Sequence, residues 1–163
     1  MCFARPWDCS SSTRRHPPRR AESHAMAHVL FVCVQNAGRS QMAAAWFNAL
    51  ADTSCAEAVS AGTRPTVAVH PEVVAVMREV GIDLSHAQPQ VLTDALARNA
   101  QVLVTMGCGE ACPFVPGLER VEWSLPDPHQ QPRDVVRSIR DEIRRLVDEF
   151  LRSRGWIRYT SVT

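Results

Sequence analysis

The chain has 163 residues, a formal net charge of +1, 45% hydrophobic residues and 21% charged ones. That length corresponds to one domain, able to bury about two-thirds of its unfolded surface without a disulfide scaffold. The near-neutral charge offers no attraction to nucleic acid or acidic lipid, and no apolar run approaches the roughly 18 residues of a membrane span. The expected class is therefore a soluble monomer with no nucleic-acid or membrane partner.

Residues 1–25 (MCFARPWDCSSSTRRHPPRRAESHA) carry five Arg against Asp8 and Glu22 and show no periodicity. Their Ser, Pro and Arg content predicts a disordered extension or a misassigned start, with a second start at Met26 and the folded domain spanning 26–163. Within that domain HVLFVC (28–33) reads as a strand, and SQMAAAWFNALAD (40–52) as a helix with Met42, Ala45, Trp46 and Ala49 on one face. CAEAVSAG (55–62) reads as a second strand, broken by GTRP. A helix follows His70 and Pro71 and stops at Gly81, with proline in its first turn. IDLSHAQPQ is a connecting loop, TDALARN a short helix and QVLVTM (101–106) a third strand. GCGEACPFVPG is irregular, RVEWS (120–124) is a fourth strand and LPDPHQQP a loop.

The last segment, 132–155, has the clearest helical pattern, with Val135, Val136, Ile139, Ile143, Leu146, Val147 and Phe150 on one stripe. Strands alternating with helices predict an α/β fold, a single doubly wound domain with a four-stranded parallel sheet flanked by helices. Ligands of such sheets lie beyond the carboxyl ends of the strands. Cys33, Cys108 and Asp127 all follow strands and are expected to meet at that edge.

Six cysteines without a signal peptide point to a reducing compartment, the cytoplasm. Cys2 and Cys9 fall in the extension, and Cys55 reads as a packing residue. Cys33 ends a strand, and Val34, Gln35, Asn36, Ala37 and Gly38 separate it from Arg39 and Ser40 at a helix start. A strand turning directly into a helix would aim the backbone N–H groups of that loop at a tetrahedral anion. Arg39 could hold two of its oxygens in a bidentate fork, and the same positive field favours the thiolate of Cys33. The pattern describes nucleophilic attack by Cys33 on an oxyanion bound by residues 34–40.

CVQNAGRS, together with SQMAAAW, VSAGT, HPEVVAVMREVGIDLS, VTMGCGEACP, WSLPDP and IRDEI, resembles the low-molecular-weight phosphotyrosine phosphatase fold and, within it, the arsenate reductases. The likeness runs from about residue 28 to 154. It implies that Cys33 is the nucleophile and Arg39 the clamp, that Asn36 and Ser40 shape the loop and hold the thiolate, and that Asp127 is the general acid. Reduction of arsenate to arsenite also requires two electrons, which thiols can supply. On this resemblance Cys108 attacks the arsenic adduct of Cys33, Cys112 then attacks Cys108, and thioredoxin reduces the resulting disulfide. The reductant is an external thiol, with no bound cofactor. Mycothiol is the alternative donor.

The chain also departs from those relatives. Some carry a second cysteine where Gly38 stands, and an acidic residue that helps hold a monovalent cation where Ala44 stands; no metal is expected. Cys108 and Cys112 would supply only half of a tetrahedral zinc site. His129, Gln130 and Gln131 replace the aromatic wall that holds a phosphotyrosine ring, which weighs against an alternative tyrosine or arginine phosphatase. A third reading, an arsenite sensor with Cys33, Cys108 and Cys112 as soft ligands, leaves Arg39 without a purpose. His28, His70, His86 and His129 lack metal-ligand spacing and are expected at turns, caps or the surface.

Overall fold

The computed structural model describes residues 26–109, 112 and 114–159; the expected extension at 1–25 lies outside them. Four strands, β1 (Ala27–Cys33), β2 (Ala56–Gly62), β3 (Val102–Thr105) and β4 (Glu119–Glu122), form one parallel sheet in the order β2-β1-β3-β4. Central β1 is an almost continuous apolar run because both of its faces are covered, as parallel sheets require. The connecting helices are α1 (Arg39–Leu50), α2 (Pro71–Arg78), α3 (Asp94–Asn99) and α4 (Arg133–Arg154).

Alternation along β1 sorts its side chains into two cores. Val29, Phe31 and Cys33 join the larger one, which includes Met42, Phe47, Trp123, Ile143 and Phe150. Leu30 and Val32 face a smaller one with Ala61, Ala97, Leu103, Cys108 and Cys112. Helix α4 lies against α1 and α2 and buries Val136, Ile139, Ile143, Val147 and Phe150, with Leu146 partly buried. Val135, expected on that stripe, is exposed. It sits beside fully buried Val136 in the first turn, a step of about 100° around the helix away from the face that meets the core.

Local chemistry sets the ends of the helices. Pro71 occupies the first turn of α2, and Thr93 caps α3 by accepting from the Leu96 amide at 3.2 Å. Helix α4 stops at Gly155, whose φ of +68° suits a residue without Cβ. The expected loop 82–90 goes one step further than its composition suggests. Gly62 donates to the Gln90 carbonyl and accepts from the Leu92 amide, so residues 90–92 pair with the end of β2. Among the described residues, no helix is long and apolar enough to cross a membrane.

Candidate active site

β1 delivers Cys33 to the carboxyl edge of the sheet, and the chain turns through residues 34–38 into α1. Gly38 occupies the N-cap position of that helix, so its positive end opens on the loop. The loop carbonyls face outward and are tied to the segment after β2. Cys33 O accepts from Thr63 N at 3.2 Å, Val34 O from Arg64 N at 2.8 Å, Gln35 O from Thr66 N at 3.1 Å and Ala37 O from His70 N at 2.9 Å. In a trans peptide the C=O and the following N–H point in opposite directions. Outward carbonyls therefore turn the amides of Val34, Gln35, Asn36 and Gly38 inward, and the Asn36 amide indeed donates to Cys33 Sγ at 3.3 Å. Segment 63–70, read from the sequence only as a strand break, is the buttress of the anion loop.

The close approach of the two segments depends on Gly62. A Cβ there would lie 2.6 Å from Val34 O and 2.9 Å from Asn36 N. Gly38 has a similar reason: a Cβ would meet Pro128 Cγ at 2.7 Å, so Pro128 fills the space that a second loop cysteine would need.

Cys33 is buried, with Ser40 Oγ 3.0 Å from its sulfur. Asn36, also buried and held at φ +50°, donates through Nδ2 to Ser40 Oγ at 2.8 Å. Arg39 is buried too. Its Nη1 donates to Leu125 O at 3.1 Å, and Nη2 lies 3.6 Å from Asp127 Oδ2. The Asp127 carboxylate accepts from the His129 amide at 3.0 Å, which turns it within the Asp-Pro corner. A small cleft is lined by Cys33, Val34, Gln35, Gly38, Arg39, His70 and Asp127.

His70 was not expected in that lining. Its Nε2 is 3.0 Å from Gln35 Oε1, and its ring centroid is 4.6 Å from that of His129. Burial, with the neighbouring His129, pushes its pKa down against the opposing pull of Asp127. The signal available in the sequence was its place before Pro71, which explains a helix start but not a side chain reaching the loop. His129 stands at the same mouth.

Cys108 is the main correction to the expected cluster. It does not line the cleft with Cys33 and Asp127. It is disulfide-bonded to Cys112, with Cα atoms 6.3 Å apart, and both pack in the smaller core on the sheet face opposite Cys33. The reason is the turn after β3: continued alternation would leave Cys108 on the side of Met106 in the larger core, but the strand ends at Thr105 and the positive φ of Gly107 redirects the chain, so Cys108 joins the smaller one. Gly107 and Gly109, at φ +75° and +56°, flank Cys108. Cys33 and Cys55 are free thiols.

The model of the low molecular weight phosphotyrosine protein phosphatase family matches residues 28–155. A Halobacterium salinarum protein provisionally named an arsenate reductase is 42% identical over 74% of this chain and 88% of its own length. The arsenate reductase of Staphylococcus aureus is 33% identical over 75% and 94%. Among solved structures, a thioredoxin-dependent arsenate reductase of Corynebacterium glutamicum superposes with a TM-score of 0.69 at 38% identity. That match spans 78% of this chain and only 61% of the other. Together with the loop geometry, the match over most of its length establishes that this chain belongs to the low molecular weight phosphotyrosine protein phosphatase family.

Proposed function

We propose that this protein reduces arsenate to arsenite through Cys33, Cys108 and Cys112, with thioredoxin as the reductant in the cytoplasm. The observation that carries the reading is the pairing of an oxyanion cradle with the Cys108–Cys112 disulfide at the end of the adjacent strand. A phosphatase ends its cycle when water cleaves the phosphocysteine and needs no second thiol pair. The relatives named as arsenate reductases support the same choice.

Arsenate would sit on the inward amides of residues 34–38 with Arg39 across two oxygens. Cys33 Sγ attacks arsenic, an As–S bond forms, and an oxygen leaves as water after taking a proton from Asp127. The Cys108 thiolate then attacks Cys33 Sγ. The S–S bond forms as the As–S bond breaks, its electron pair stays on arsenic, and As(V) leaves as As(III) arsenite. Attack of Cys112 on Cys108 frees Cys33 and leaves the Cys108–Cys112 disulfide. Because that disulfide packs on the far face of the sheet, the reduced Cys108 must swing toward Cys33, and the flanking glycines favour such a swing. Reduction by thioredoxin, two electrons and two protons, resets both thiols.

Trapping tests the order of attack. After one arsenate turnover, Cys112→Ser should accumulate a Cys33–Cys108 disulfide detectable by peptide mass spectrometry. Cys108→Ser should form neither that disulfide nor arsenite. Arsenite production unaffected in Cys108→Ser would overturn the relay.

A further inference from the structure

We infer that Gln41 is a positioning residue, which together with the Gln90 amide holds the direction of a hydrogen-bond chain ending on the Cys33 sulfur; this rests on Cys33 being the nucleophile proposed above. The chain can be read atom by atom. The Gln90 backbone N–H can only donate, and it lies 2.9 Å from the Asn36 side chain. The Asn36 atom it meets must be the oxygen, Oδ1, so Nδ2 faces Ser40 and donates to Oγ. Having accepted there, the Ser40 hydroxyl has its hydrogen left for Cys33 Sγ at 3.0 Å. Each donor in the sequence thus points toward the sulfur.

Gln41 supplies the second hold on Asn36. Its Nε2 donates to Oδ1 at 3.2 Å and lies 3.5 Å from Gln88 O, so one amide joins the start of α1 to the loop and to segment 88–90. Gln41 is buried, although it lines an open groove with Ala44, Asn48, Leu84 and Gln88. Asn36 needs two holds because it sits in the left-handed region, a conformation that persists only when its surroundings over-determine it. With one hold gone, a buried acceptor loses a partner and the amide can rotate. Ser40 would then turn its hydrogen away from the sulfur.

The readout is alkylation of Cys33 by iodoacetamide at pH 7, followed by peptide mass spectrometry on the full chain, with Gln41→Met and Gln41→Lys compared. Methionine keeps the volume and removes the donors, whereas lysine keeps a donor of similar reach. The expected result is about a tenfold slower reaction in Gln41→Met, the loss of one net hydrogen bond, with Gln41→Lys within about threefold of the unchanged protein. Equal rates in Gln41→Met and the unchanged protein would overturn the inference. So would a folded Gln41→Lys that reacts about tenfold or more slowly than the unchanged protein, and this arm decides alone if Gln41→Met fails to fold. Loss of the functional reading looks different: arsenite formation persisting in Cys33→Ser would sink it without altering these rates.

Discussion

Arg39 Nη2 lies 3.6 Å from Asp127 Oδ2, so the clamp proposed for the oxyanion and the acid proposed for its leaving oxygen share one edge of the cleft. The pair places opposite charges where a bound anion would need both a cation and a proton. Arg39 is also fixed by Leu125 O, which leaves Nη2 directed at the cleft. Arg39→Lys keeps the charge but loses the fork, and should lower arsenate kcat/KM by about 100-fold or more. Asp127→Asn should lower kcat by a similar factor of about 100 without raising KM, since it removes the proton donor together with a negative charge beside Arg39. Steady-state kinetics on both variants check this division. A large rise in KM in Asp127→Asn would place Asp127 in binding.

Gly62 should tolerate no side chain. In Gly62→Ala the new methyl meets Val34 O and Asn36 N at distances no Cβ sustains, so the loop must move. The expected cost is about 1–3 kcal/mol of stability, with a weaker affinity for phosphate used as an inert stand-in for arsenate. Urea unfolding and calorimetric titration measure the two effects. Unchanged values for both would show that the loop can shift freely.

Most of the fold was legible in the sequence because it follows from periodicity. The apolar runs ending at Cys33 and Met106 are strands buried on both faces, and the α4 stripe differs from expectation only at Val135. The Cys33 to Ser40 loop was legible because glycine, arginine and a helix start occur together there. What stayed hidden depends on contacts between distant segments. Nothing local in GTRPT shows that the amides of Thr63, Arg64 and Thr66 cap the carbonyls of 33–35, and nothing near His70 or Gln90 shows that they reach Gln35 and Asn36. The position of Cys108 was misjudged for a different reason. Following a strand brings a residue to the sheet edge, but past the strand's end the backbone turn, here at Gly107, decides which face it joins.

The acid limb of stability should report the contact between α2 and α4. Arg137, and then Arg140, hold the Glu79 carboxyl down to about 2 from an ordinary 4.5. A depressed carboxylate stabilises the fold fully above the unfolded value and loses that contribution as pH falls through the folded one. Glu79→Gln should therefore unfold at a lower temperature than the unchanged protein at pH 6, and the gap should close between pH 4.5 and 2. Thermal melts across that range test the prediction. A gap that persists at pH 2 would assign the loss to packing.

The most direct test of the central claim is NADPH oxidation in a coupled assay with arsenate, thioredoxin and thioredoxin reductase, run beside hydrolysis of an aryl phosphate. The account predicts arsenate-dependent oxidation by the unchanged protein that is abolished in Cys33→Ser, Cys108→Ser and Cys112→Ser. Aryl phosphate hydrolysis that is brisk and insensitive to Cys108→Ser, with no arsenate-dependent oxidation, would contradict it and make the chain a phosphatase.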